Sequence, residues 1–170
     1  GQLYFTTGEV PGPVGSGHHH IAPYRAFKAK DGYFIVAAFT QIFWLKFADA
    51  IGMPELKDDS RFADITARKH NMDALYEIVE PLFPDKTVTE WLEIVATNDV
   101  PSAPVNTVGE ALECDQAQAR EIVFDYEHPL AGKVRTVGTP FRNDGRVCRS
   151  ERPPPLLGEH TDEVLSTLDK

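Results

Sequence analysis

Two stretches of this chain, residues 24–39 and 122–137, each hold a pair of aromatic and β-branched runs around a turn, and helical periodicity fills much of the sequence between them. Strands that come in such local pairs, apart from the helices, do not build the alternating strand-helix-strand units of a doubly wound sheet. The expected class is therefore α+β, with helices packed against short antiparallel hairpins. In the first pair, Tyr24 to Ala29 and Tyr33 to Phe39 flank Lys30-Asp31-Gly32, and an Asp-Gly step supplies the positive φ angles of a tight turn. In the second, Ile122 to Glu127 and Lys133 to Val137 flank His128-Pro129-Leu130-Ala131-Gly132, a turn built on Pro and Gly.

Between the pairs the helix signals are local. Thr40 is a good N-cap for a helix in which Ile42, Phe43, Leu45 and Phe47 form the apolar face and Gly52 ends the run before Pro54. Residues 66–83 give the clearest helix: Met72, Leu75, Tyr76, Val79, Leu82 and Phe83 recur at spacings of three and four, and Pro81 and Pro84 help stop it. Thr87 with Glu90, and Thr107 with Glu110, have the spacing of capping boxes. The segment from Asp99 to Val105 is held extended by Pro101 and Pro104. After Gly138 periodicity disappears until the Pro-rich run at 152–158, beyond which Thr161 caps a last helix with Asp162 and Glu163 in its first turn.

The first 23 residues are punctuated by five glycines and three prolines and read as loop, with at most a short extended piece at Leu3-Tyr4-Phe5. The expected organisation is a Gly/Pro-rich lead-in loop and linker over 1–23, a small α+β domain over 24–138, and a returning linker with a C-terminal helix over 139–170. A chain of 170 residues buries roughly 70% of its unfolded surface and needs neither metal nor disulfide for a core. Its net charge of −9 opposes a nucleic-acid backbone, so no nucleic-acid partner is expected. A few positioned N–H groups still suffice for a phosphorylated small molecule. Cys114 and Cys148 lie far apart with no metal spacing, which points to a reducing, cytoplasmic compartment. No apolar run approaches the roughly 18 to 20 residues of a membrane span, so no membrane partner is expected. Gly rather than Met at position 1 suggests a trimmed or processed chain.

The common catalytic signatures, from phosphate-binding loops to GxSxG, are missing. His18-His19-His20 follows Gly15-Ser16-Gly17. Three adjacent histidines on a strand point to alternating sides, so a loop with exposed histidines is favoured over a metal site. Such a loop brings backbone N–H groups close to an anion or a thioester oxygen. Asp58, Asp59 and Asp64, with Arg61 and Arg68 nearby, read as caps and solvated charge rather than a carboxylate site. Trp44 and Trp91 read as core, and His160 in Glu159-His160-Thr161 is a weak site candidate.

The pieces come in a recognisable order. Gly15-Ser16-Gly17-His18-His19, Ala22-Pro23-Tyr24, Phe27 and Asp31-Gly32 are followed by Asp59-Ser60-Arg61-Phe62, Arg68 with Asn71, Glu90-Trp91 and Val100 to Val105. His128-Pro129-Leu130-Ala131-Gly132-Lys133 and Pro154 to Thr161 complete the series. This arrangement, over nearly the whole chain, resembles the family III CoA-transferases, which include formyl-CoA transferase and the CaiB/BaiF proteins. The last two segments especially resemble members that use succinyl- or other dicarboxyl-CoA donors.

The resemblance implies the small domain of that fold plus the C-terminal tail segment, with a large N-terminal domain and an interlocked homodimer as partners. It implies acyl-CoA and carboxylic acid substrates, with coenzyme A as a thioester substrate and no permanently bound cofactor. The family's nucleophile is an Asp of the large domain that forms an acyl anhydride. No catalytic residue is therefore assigned within these 170 residues. Gly15, Ser16, Gly17, His18 and His19 match the loop that lies over the active site and shields the intermediate from water. There are fewer consecutive glycines here than in formyl-CoA transferase, a departure from that member's loop. Two alternatives are part of an α-methylacyl-CoA racemase of the same fold, and a stand-alone acyl-CoA-binding or assembly subunit.

Overall fold

The computed structural model describes residues 1–150 and 152–168. They form two compact units, Gly1–Val105 and Asn106–Lys170. The division falls inside the 24–138 span expected as one domain.

The first unit is built on a three-stranded antiparallel sheet with helices against it. Strands β1 (Tyr24–Lys28) and β2 (Tyr33–Ala37) form the expected hairpin, with Phe27 opposite Phe34. Its turn differs from the Asp-Gly expectation: Asp31 and Gly32 are not in the left-handed region, and Ala29 N–H closes the connection on Gly32 O at 2.9 Å. The tip is instead held by another element. Lys30 N–H donates to Lys86 O, and Asp31 accepts from Val88 N–H, both at 2.8 Å. A Cβ on Gly32 would lie 3.2 Å from Val88 Cγ2, so a close approach accounts for this glycine. The extended Ser102–Pro104 segment is a third strand, β3, paired with β2.

Thr40 caps α2 (Gln41–Ala50) by accepting from Phe43 N–H at 3.2 Å, and Gly52, at φ 75°, follows its end. The inward face is only partly the expected one, with Phe47 buried and Phe43 partly buried against the core. Trp44, Phe47 and Ala48 are buried, whereas Ile42 and Leu45 are exposed. The 66–83 helix is also broken into α3 (Ile65–His70), α4 (Met72–Val79) and a 3-10 turn over Glu80–Asp85. Asn71 adopts non-helical angles and its side chain donates to Ala67 O and Arg61 O, while Pro81 and Pro84 lie in the tighter turn. The stripe survives, with Leu75, Tyr76, Val79 and Phe83 buried. Helix α5 (Val88–Thr97) carries the full Thr87/Glu90 capping box.

Phe27, Phe34, Phe83 and Trp91 meet at the centre, with the Phe83 ring tilted against Phe27 at 4.6 Å and edge-to-face with Trp91 and Phe34 at 5.1 and 5.3 Å. Trp91 Nε1 donates to Phe83 O at 2.9 Å, so its buried N–H is satisfied. At the lead-in, Tyr4 and Phe5 lie in a helix, α1 (Gln2–Thr7), rather than an extended piece. Gly8 at φ 75° ends it, donating to Tyr4 O at 2.8 Å.

The second unit begins with the Thr107/Glu110 capping box on α6 (Val108–Glu113), followed by α7 (Asp115–Ala119). Strands β4 (Val123–His128) and β5 (Gly132–Val137) form the second expected hairpin. A third, small hairpin pairs β6 (Arg142–Asn143) with β7 (Arg146–Val147) around Asp144 and Gly145, at φ 48° and 78°. The last helix, α8 (Thr161–Leu165), is preceded by His160 and has no side-chain cap, so Thr161 is its first residue rather than its cap. Among the described residues, Ala117 is the only fully buried hydrophobic of this unit. Among the described residues, no helix is long and apolar enough to cross a membrane.

Candidate functional site

The Gly15 to His19 segment is a compact loop tied back to β1. Gly15 takes φ 60°, a conformation that a side chain disfavours. Gly17 N–H donates to Val14 O at 3.0 Å, closing the turn, and a Cβ on Gly17 would come within 3.2 Å of that same oxygen. Ser16 Oγ accepts from Ala26 N–H at 3.1 Å, and His18 N–H donates to Tyr24 O at 3.1 Å. The loop thus runs alongside the first strand with its own backbone donors partly used.

The histidines are not equally exposed, contrary to expectation. The His18 ring stacks on Tyr24 at 5.4 Å with 14° between planes, and its Nδ1 accepts from His20 N–H at 3.1 Å. His18 and His20 are half-buried and His19 is exposed. Desolvation, reinforced by the nearby Lys69 charge, holds the His20 imidazole below the ordinary histidine value. Its Nδ1 is buried with no hydrogen-bond partner. Among the described residues no group of three or more His, Cys, Asp or Glu side chains is placed to hold a metal.

Downstream the loop joins the fold through Ala22-Pro23-Tyr24. Tyr24 N–H donates to the Tyr76 hydroxyl at 3.4 Å, and Ala38 N–H donates to Pro23 O at 2.9 Å. Burial raises the Tyr76 phenol above its usual value, so the hydroxyl stays protonated at neutral pH. Arg25 lies over the Tyr76 ring at 4.7 Å and pairs with Glu80 at 3.1 Å. Ala22 O accepts from Arg68 Nε at 3.0 Å. Tyr76 has no site signal in the sequence, where it is one residue of an apolar stripe.

The acidic residues behave as caps and surface charge. Asp59 takes Arg61 in a bidentate pair, which holds its carboxyl low, and Asp64 caps α3 by accepting from Ala67 N–H at 2.8 Å. Arg68 does not join them. It is 1% exposed, lies 4.9 Å over the Trp44 ring, and burial pulls its guanidinium down to about 10. His160 Nδ1 faces Glu163 at 3.5 Å.

The profile of CoA-transferase family III matches residues 2–161. The chain is 33% identical over 154 residues to a succinyl-CoA:glutarate CoA-transferase of Homo sapiens, covering 91% of this chain and 35% of the relative. It is 34% identical over 125 residues to a formyl-CoA:oxalate CoA-transferase of Bradyrhizobium diazoefficiens, covering 74% and 29%. Among solved structures, a CAIB/BAIF family protein from Brucella suis superposes with a TM-score of 0.74 at 30% identity, over 99% of this chain and 43% of that one. The chain spans about a third of the length of these curated relatives. The α+β class with short antiparallel hairpins agrees with that structure. With the profile covering nearly every residue, this chain belongs to CoA-transferase family III.

Proposed function

We propose that this chain is the small-domain part of an enzyme that moves CoA between carboxylic acids, with the Gly15 to His19 loop covering the acyl intermediate. The observation that carries the proposal is the match over residues 2–161 to a family whose relatives are named for CoA transfer. In the proposed reaction a carboxylate oxygen of an Asp bonds to the thioester carbonyl carbon. The C–S bond breaks, and CoA leaves as the thiolate. The resulting anhydride has to be kept from water until the acceptor arrives, and a turn-closed loop with a stacked His18 is suited to that task. Residues 1–23 and 139–170 act as connections to a large domain, and two such chains interlock.

The nucleophile is proposed to lie in that large domain, outside these residues. In support, Asp31, Asp64, Glu90 and Glu110 are used on helix N-termini, and Asp59 and Asp125 on cations. Succinyl-CoA is the proposed donor, by likeness to the human relative's name. The proposed setting is cytoplasmic with no permanently bound cofactor.

A chimera tests this reading. The human succinyl-CoA:glutarate CoA-transferase is built with this chain in place of its matching 154 residues. The chimera is expected to transfer CoA from succinyl-CoA to glutarate, whereas the 170-residue chain alone turns nothing over. A folded but inactive chimera, or robust transfer by the chain alone, overturns it.

A further inference from the structure

We infer that Arg68 is a positioning residue for the Gly15 to His19 loop, its guanidinium holding the point where that loop rejoins the fold. The inference rests on the reading of that loop as the cover of the acyl intermediate. Arg68 is buried; among the described residues no carboxylate lies within ion-pair distance of it, and the Asp64 charge acts on it only from further away. Its hydrogen bonds go to neutral oxygens: Ala22 O from Nε at 3.0 Å, with Phe62 O and Gln41 Oε1 both from Nη1 at 2.9 Å.

A buried cation without a directly paired carboxylate is unfavourable, and an apolar side chain would fill the space beside Trp44 without that cost. What an apolar side chain cannot do is reach three acceptors on segments separate in sequence. The planar fork does so, and lysine, with one nitrogen, does not reproduce it.

The position of Ala22 gives the fork its consequence. Ala22 lies two residues after His20 and two before Tyr24, whose carbonyl accepts His18 N–H and whose ring stacks on His18. Arg68 from α3, Ala38 N–H and the Tyr76 hydroxyl from α4 therefore grip residues 22–24 from three sides. Upstream, Ser16 Oγ ties the loop to β1 through Ala26 N–H at 3.1 Å, while residues 8–16 are exposed. A shift at Ala22 is passed to His18 through the Tyr24 contacts.

Hydrogen exchange of the 170-residue chain, read by NMR, tests the anchoring. In the wild type, the Arg68 Nε–H and the amides of Gly17 and His18 are expected to show the same denaturant dependence. Amides that open at lower denaturant than the Nε–H overturn the inference without any variant. In Arg68→Lys, exchange at Gly17 and His18 is expected to rise about tenfold, the scale of a lost hydrogen bond to a charged group. Core amides of β2 and α5 are expected to change by less than about twofold. An unchanged loop, or equal acceleration of loop and core, overturns the inference. In the chimera, Arg68→Lys is expected to raise thioester hydrolysis relative to CoA transfer. An unchanged ratio beside a loosened loop overturns the loop's assignment as the shield, and with it the catalytic consequence of Arg68, while leaving the anchoring measured.

Discussion

The Asp31 carboxylate accepts the backbone N–H of Val88 at 2.8 Å, joining the tip of the first hairpin to the start of α5 across 57 residues of sequence. Val88 is the first residue of that helix, and its N–H is one of the orphan donors that every helix N-terminus leaves. Thr87 and Glu90 satisfy other groups of the same terminus, so one helix end is capped both from its own sequence and from a distant turn.

Asp31→Ala is expected to destabilise the chain by about 1 kcal/mol, the usual scale of a lost cap. Asp31→Asn keeps an acceptor oxygen and is expected to cost less than half of that. Urea unfolding monitored by far-UV circular dichroism reads both; equal losses would show that charge rather than the acceptor matters.

The Glu90 carboxyl is held below the ordinary carboxylate range, first by the Thr87 N–H and then by the Thr87 hydroxyl. A depressed folded-state value means that this contribution is present above the unfolded value of about 4.3 and is lost as pH falls through the lower folded one. Glu90→Gln is therefore expected to be less stable than wild type at neutral pH, with the gap closing in acid. Urea midpoints measured from neutral pH down to about pH 3 check the sign; a gap that widens in acid contradicts it.

In the β4–β5 turn, His128 Nδ1 accepts the N–H groups of Leu130 and Ala131 at 3.2 and 3.1 Å. This is the role an Asn or Asp oxygen plays in an Asx turn. His128→Ala is expected to loosen the hairpin by about 1 kcal/mol and His128→Asn by much less. Because the unit lacks a large core, amide exchange of β4 and β5 is the suitable measurement.

Phe83 touches Phe27, Phe34 and Trp91 and is fully buried. Phe83→Ala is expected to cost about 3 to 5 kcal/mol, and Phe83→Leu clearly less, as a smaller cavity is left. Trp91 fluorescence during chemical unfolding reports both, since the ring sits against the substituted position and its Nε1 bonds the backbone carbonyl there.

Legibility along the chain follows the range of the interaction. The Thr40 cap, Gly52 and both capping boxes appear where the sequence places them, because their hydrogen bonds close within a few residues. The hairpins at 24–37 and 123–137 are equally plain, since β-branched and aromatic runs lie either side of a short turn. The Arg142 to Val147 hairpin carries the same Asp-Gly signal, but its strands are two polar-flanked residues each and show no alternation. The candidate loop is legible as glycine punctuation. Its holding contacts from Arg68 and Tyr76 are not, since they arrive from helices 46 and 52 residues away.

Local order and family membership were thus already written in residue types and their spacing, since caps, turns and motif order need only near neighbours. Which face of α2 turns inward, where the 66–83 run breaks and whether Ser102–Pro104 pairs as a strand depended on packing. Trp44 is read as core from its residue type alone, but Leu45 is left exposed because Phe62 and Arg68 pack on the Trp44 side, contacts that no window around α2 contains. The burial of Arg68 has the same origin. Its charge is sheltered only because oxygens from Ala22, Gln41 and Phe62 converge once the chain has folded, and desolvation is a property of that assembled environment.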